Sequence, residues 1–234
     1  MEFSKISAPS LKELFINQLE TMILSGKLPI GEKLPSEREL SESMQVSRAV
    51  VNAGISELAR KGFLIIKPRV GTFVADYRRN GTLETLISIM NYNGGILRDA
   101  EIRSILELRI AFETLAIELC VPKITNEEIG KLKEYVTQMK TTESIDFASE
   151  LAFLFQHELA CLSGNTLLPL IVSSFKIPVM SLWKRFCRLY GIESLHNNTS
   201  VLYQYIEDRN LVKAKEWLLT SILDTVQGDR QIYY

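Results

Sequence analysis

The sequence predicts a mainly α protein in two parts: an N-terminal winged helix-turn-helix with a small β-hairpin wing over residues 1–77, and an all-α bundle over 82–234, joined by a short linker at 78–81. Three observations carry this. Two capped helix starts, at Ser36 and Ser47, follow each other as closely as a helix-turn-helix requires. Two short β-prone runs, Phe63-Leu64-Ile65-Ile66 and Thr72-Phe73-Val74, flank the turn Lys67-Pro68-Arg69-Val70-Gly71. Beyond Gly81 only apolar residues at helical spacing remain, interrupted by Gly and Pro, with no strand alternation.

Each element follows from local chemistry. The first helix, over 10–24, carries the stripe Leu11, Leu14, Phe15, Leu19, Met22 and Ile23, which reads as core. Ser36 with Glu39 forms a capping box for the second helix. Ser47 opens the third, whose Val50, Val51, Ile55 and Leu58 recur at helical spacing until Gly62 stops it. Tyr77-Arg78-Arg79-Asn80-Gly81 breaks the periodicity after the wing. Helices are then expected over 82–91, over 99–120 with Pro122 closing it, and from the Thr125/Glu128 capping box. Others follow over 145–162, 167–189 with a kink at Pro178, 193–208 and 211–227.

Composition narrows the function. Hydrophobic residues make up 46% of the 234, enough for buried cores, and the formal net charge is −1. That charge is unevenly placed: residues 47–79 hold seven Lys and Arg against two Asp and Glu, so positive charge gathers on the third helix, wing and linker. No signal segment and no apolar run of membrane-spanning length occurs, which leads to the expectation of a soluble, cytoplasmic chain with no membrane partner. Cys120, Cys161 and Cys187 lack metal or redox spacing and are expected as buried free thiols. There is no glycine-rich phosphate loop, GxSxG or HExxH, so the chain is not expected to be an enzyme. The alternative in that class is a helical-bundle enzyme that has gained a DNA-binding segment; turnover of its ligand would identify it.

The ordered set Leu34-Pro35-Ser36-Glu37-Arg38-Glu39-Leu40, Val46-Ser47-Arg48 and Gly71-Thr72-Phe73-Val74 resembles the GntR family of bacterial transcription regulators. The resemblance implies double-stranded operator DNA as partner, with Arg38, Ser47, Arg48, Arg69 and Gly71 in contact with it. Asn52 stands where the family usually has a second Arg. Arg favours guanine edges, whereas Asn pairs with adenine, so this position departs in base preference. The second half resembles the FadR subfamily, through Arg109 and Glu113 on one helix and the turn Ser163-Gly164-Asn165.

Many members of that group bind a metal through an Asp and three His. Counting back from Asn165, the corresponding positions here are Ala152 and Gln156, and on the last helices the approximate equivalents are Thr199 and Ser221, all of which ligate zinc or nickel poorly. His157 is one residue off register, about a hundred degrees around its helix. No metal and no cofactor are therefore expected; a regulator using atypical ligands around His157 and His196 is the alternative. By resemblance the effector is an organic acid or an acyl-CoA. Arg109 is its candidate cationic anchor, and Gln156, Asn165 and Thr199 are candidate neutral contacts. An Arg109–Glu113 ion pair is the competing reading of Arg109. Trp183, Phe186, Tyr203 and Tyr205 either line a cavity or fill core. A homodimer that represses until its effector releases it from a palindromic site completes what the resemblance implies.

Overall fold

A computed structural model describes residues 9–92 and 99–233. The chain forms two compact units, Met1–Gly94 and Gly95–Tyr234. The expected linker at 78–81 thus lies within the first unit. Residues 78–80 belong there to a short helix, and Gly94-Gly95, the break expected between the helices over 82–91 and 99–120, falls outside the described residues.

In the first unit α1 (Leu11–Leu24), α2 (Glu37–Met44) and α3 (Arg48–Arg60) precede the hairpin of β1 (Leu64–Lys67) and β2 (Gly71–Val74). Ser36 and Ser47 cap where the sequence predicts, Ser36 in a reciprocal box with Glu39 and Ser47 accepting from the Val50 N–H, and Ser10 forms a further reciprocal box with Glu13. Phe15, Leu19 and Ile23 of α1 pack with Val51, Ile55 and Leu58 of α3 and with Phe63 and Val74 of the hairpin. Leu11 and Leu14, placed in the apolar stripe by their spacing, are instead 56% and 50% exposed. Gly54 explains the close approach of α1 to α3, because a Cβ there would lie 2.3 Å from the Phe15 ring.

After α3, Gly62 at φ +82 lets the Phe63 N–H reach back 2.9 Å to the Leu58 carbonyl, which closes the helix and launches β1. β1 and β2 pair antiparallel with Leu64 opposite Val74 and Lys67 opposite Gly71. The segment before α2 adds a third edge: Leu34 N–H donates to Thr72 O and Val74 N–H to Glu32 O, each at 2.9 Å. That edge has no alternating pattern to announce it. Helices α4 (Tyr77–Asn80) and α5 (Leu83–Asn91) also belong to this unit. Arg60 pairs with Glu84, Lys61 with Glu20, and Thr85 Oγ1 donates to Lys61 O.

The second unit is helical throughout its described residues: α6 (Asp99–Cys120), α7 (Asn126–Thr141), α8 (Ile145–Leu162), α9 (Leu168–Ser174), α10 (Lys176–Glu207) and α11 (Leu211–Gln227). Helix α8 is central, packing on α6, α7 and α10, while α11 lies against α6 and α10. Two expectations need correction. Pro178 does not kink a helix over 167–189; the chain breaks at Phe175 (φ −93, ψ 3), and Pro178 falls in the first turn of α10, where its missing N–H has no helical partner to lose. The interruption expected between residues 189 and 193 is a kink at Gly191 (φ 83, ψ 156), and helix continues on both sides.

Candidate functional site

In the N-terminal unit, burial of Val51, Ile55 and Leu58 turns the opposite face of α3 to solvent. Arg48 and Asn52, four residues apart, share that face and are both exposed. Ser47 sits just before them as the N-cap, its hydroxyl 3.3 Å from the Val50 N–H. Arg48 meets no ion-pair partner among the described residues. Asn52 Nδ2 donates to Glu37 Oε1 at 3.3 Å, linking α3 to the first turn of α2. Arg38 is 71% exposed and donates Nε to Glu42 at 2.8 Å, a surface pair weak enough for a phosphate to displace.

At the wing, Arg69 is exposed in the left-handed region (φ 62). Gly71 has φ +134, and a Cβ there would lie 2.6 Å from Lys33 Cε. Lys33 therefore lies beside the wing, together with Lys67, whose ammonium sits 4.8 Å from the centre of the Phe73 ring. Ordered cations on a protruding hairpin next to a solvent-facing helix can engage both phosphates and base edges of a duplex.

The helical unit holds a partly open cavity of about 60 Å³. Arg109 on α6, Ala152 and Gln156 on α8, Thr199 on α10 and Ser221 on α11 all line it. The Gly191 kink divides α10 into two arms that both reach the cavity, Trp183 and Phe186 on one, Leu195 and Thr199 on the other. Thr199 is buried and donates to Leu195 O at 3.0 Å, which leaves its oxygen free to accept. Gln156 Oε1 is buried and meets no donor among the described residues. A buried acceptor left this way costs free energy until a water or ligand donates to it.

Arg109 lines the cavity and is at the same time paired with Glu113. Its Nε donates to Glu113 Oε1 at 2.6 Å and a terminal nitrogen reaches Oε2 at 3.4 Å. The two side chains are only 11% and 7% exposed. The guanidinium also lies 4.6 Å from the centre of the Trp183 ring. Arg109, Gln156 and Trp183 form the wall between the cavity and a second, apolar slot that includes Phe112, Phe153 and Phe175.

Asn165 is not brought to the cavity. Its Oδ1 accepts from the N–H groups of Leu167 and Leu168 at 3.0 and 3.1 Å, so the amide shapes the entry to α9. Tyr203 is buried but its hydroxyl donates to Glu207 at 2.6 Å; burial first, and that carboxylate second, hold the phenol well above its usual range. Cys161 is exposed, correcting the expectation that all three thiols are buried, whereas burial pushes Cys187 up to about 11 and, with the nearby Glu128 charge, Cys120 to about 11.

The residues present do not suit a metal. Ala152, Gln156, Thr199 and Ser221 offer no imidazole or carboxylate, and among the described residues no group of three His, Cys, Asp or Glu converges. Neither histidine lines the cavity; His157 stacks on Phe153 and places Nε2 2.9 Å from Ser173 Oγ.

Three contributors escaped the sequence reading. Glu37 stands in the first turn of α2, where an acid favours the helix N-terminus, and nothing in the sequence signals its bond to Asn52. Asn198 lines the cavity and accepts from Arg230 at 3.3 Å. Ile232 roofs the cavity, 2% exposed, with its carbonyl held 2.7 Å from Arg185 Nε and the preceding Gln231 carbonyl held by Tyr190 at 2.7 Å. No helical periodicity places that tail segment.

Residues 12–74 match the family described as bacterial regulatory proteins, gntR family, and residues 104–223 match the FCD domain. The chain is 30% identical over 199 residues to a fatty acid metabolism regulator protein of Shewanella oneidensis, covering 84% of this chain and 78% of that one. It is 26% identical over 218 residues to the transcriptional regulator LutR of Bacillus subtilis, covering 88% and 97%. With Mce2R of Mycobacterium tuberculosis the identity is 31% over 143 residues, and the match spans 59% of that regulator's length and 61% of this chain. The solved structure of Lar, which controls expression of the agr system in Listeria monocytogenes, gives a TM-score of 0.64 at 16% identity over 95% of this chain and 98% of Lar, a likeness of fold alone. Among the described residues no helix is long and apolar enough to cross a membrane.

Proposed function

The chain belongs to the GntR family of bacterial regulatory proteins and carries its FCD domain, and from that premise we propose a transcriptional repressor that binds a palindromic operator as a homodimer and is released by a small organic acid. One observation carries the reading. Arg109, Gln156, Thr199 and Ser221, distant in sequence and on four different helices, converge on one cavity that offers hydrogen bonds within an apolar wall. Such a cavity suits a small polar molecule. Arg109 uses only part of its five-donor fork on Glu113, so an incoming carboxylate shares the guanidinium, and Gln156 Oε1 asks for an N–H or O–H from the same ligand.

The cavity's size favours a small acid over an acyl-CoA. Pockets that hold drug-sized ligands measure roughly 300–1,000 Å³, so a long acyl chain requires the Arg109–Gln156–Trp183 wall to open into the apolar slot. In this reading the DNA contacts are Arg38, Ser47, Arg48, Asn52, Arg69 and Gly71, divided between α2, α3 and the wing. Effector binding acts as a population shift: it favours a dimer geometry whose recognition helices no longer match the half-site spacing, and does so only by its differential affinity for the two geometries. A regulator of this kind works in the cytoplasm, beside the chromosome. Chemistry on the ligand is not part of the proposal. The cavity hydroxyls of Thr199 and Ser221 donate to carbonyls of their own helices, and among the described residues no histidine or carboxylate lines the cavity to activate them.

The test is selection of bound sites from random duplexes, followed by mass spectrometry of small molecules released from the native protein. The reading expects a two-fold symmetric consensus and an acid recovered unchanged after long incubation. Absence of any selected site, or conversion of the bound molecule, overturns it.

A further inference from the structure

Glu37 and Asn52 carry an inference that rests on the DNA-binding reading and deepens it. The two residues are fifteen apart, on different helices, and both exposed. The only side-chain partner that either has among the described residues is the other, at 3.3 Å. Helix α2, which carries Glu37, is held at its start by Ser36 and Glu39, whose reciprocal bonds run at 2.8 and 3.3 Å, and by burial of Leu40. Two of the orphan N–H groups of α2 are therefore served without Glu37, and no backbone N–H of that turn uses its carboxylate. A carboxylate on a face that meets phosphates also opposes association, so its presence beside the base-reading residue calls for a reason.

The reason lies in the symmetry of an amide. Rotating the Asn52 amide by half a turn exchanges its donor and acceptor ends with little change in shape. To pair with adenine the oxygen must meet N6 and the nitrogen must meet N7; the flipped amide presents like against like. An ionised carboxylate only accepts. Beside Glu37 the Nδ2 end is therefore fixed toward α2 and the Oδ1 end away from it, and one Nδ2 hydrogen remains for a base.

We propose that Glu37 is a positioning residue that locks the Asn52 amide in one orientation and thereby sets base preference at the half-site position Asn52 reads. The lock removes one of two nearly equal rotamers before DNA arrives, so the cost of choosing is met in the free protein.

The experiment compares site selection and affinity for the full chain and for Glu37→Gln, Asn52→Ala and the double variant. A glutamine side chain keeps the size of glutamate but can donate as well as accept, so in Glu37→Gln the two amides can flip together and the lock is lost. Glu37→Gln is expected to flatten preference at one symmetric position, by up to the roughly five- to hundredfold that one base contact provides, with the rest of the consensus and the melting temperature unchanged. In the Asn52→Ala background the same change is expected to leave that position untouched. Removing a negative charge raises affinity for all duplexes alike, which the salt dependence reports separately. Preference at that position unaltered by Glu37→Gln, or altered equally without Asn52, overturns the proposal while the DNA-binding reading stands. A parent chain that selects no site removes both.

Discussion

Replacing Arg109 by Met tests the balance between its structural and ligand-facing roles. The change keeps length and apolar bulk but leaves the buried Glu113 carboxylate beside Phe112 and Phe175 with no ion-pair partner among the described residues. Breaking a buried pair in this way costs about 3–5 kcal/mol, because the surviving charge loses its partner but not its desolvation. Loss of the guanidinium over Trp183 adds about 0.5–2 kcal/mol. For a chain of this size each kcal/mol shifts the midpoint by roughly 2–4 °C, so the single variant is expected to melt at least about 7 °C below the parent, followed by circular dichroism. Adding Glu113→Leu removes the stranded charge and is expected to recover most of that loss. The repaired double variant should then bind operator normally yet ignore the effector. A single variant melting within 2–3 °C of the parent on the scale above, or no recovery in the double, refutes the reasoning about the buried pair.

Arg48→Ala, at an exposed position with no ion pair to lose among the described residues, should weaken operator binding by about 1–3 kcal/mol without moving the melting temperature; equal affinity in a gel-shift titration contradicts its role. Gly54→Ala should destabilise the N-terminal unit by about 1–3 kcal/mol in denaturant unfolding, since its Cβ drives into the Phe15 ring, and a neutral result would mean that α1 yields freely. Iodoacetamide at pH 8 should label Cys161 long before Cys120 and Cys187, whose thiols burial holds near 11; equal rates would place all three at the surface. Hydrogen bonds from Ser10, Ser36 and Thr125 hold Glu13, Glu39 and Glu128 below their ordinary value of 4.5. Their support is full above that pH and is lost as pH falls through the lower folded values, so melting temperature should drop below about pH 4.5, whereas a flat profile to pH 3 would deny the caps any part. Metal analysis of purified protein should find less than about half an equivalent of transition metal per chain, and stoichiometric metal surviving dialysis would overturn the poor fit of this donor set.

The elements that announce themselves locally were legible in the sequence. Ser10, Ser36, Ser47 and Thr125 mark helix starts because capping is settled within four residues, and Gly62 marks a stop because only a left-handed residue lets Phe63 reach Leu58. Counting back from Asn165 also found Ala152 and Gln156, because helix periodicity carries a motif's register along one helix, while Thr199 and Ser221 came from the family resemblance of the last helices. What periodicity cannot encode is which of two allowed solutions tertiary packing selects. Pro178 fits a kink or a first turn equally well, and the break at Phe175 decided for the turn. Asn165 has an amide that suits either a ligand or the backbone, and the nearby N–H groups of Leu167 and Leu168 claimed it. Arg109 and Glu113 were visible as a pair, but not their burial against Trp183. Contacts between segments far apart, such as Glu37 with Asn52 and Arg185 with the Ile232 carbonyl, leave no pattern at all.

The central claim is that occupancy of the cavity governs DNA binding, and operator affinity measured with and without small molecules extracted from the native protein tests it most directly. Parent protein and Ser221→Leu, which fills the cavity from α11, would be titrated against the same selected operator. The account expects the extract to weaken binding by the parent at least about tenfold, a coupling of about 1.4 kcal/mol within the usual allosteric range, and to leave the filled variant unaffected. An extract that changes neither affinity, or changes both alike, would contradict it.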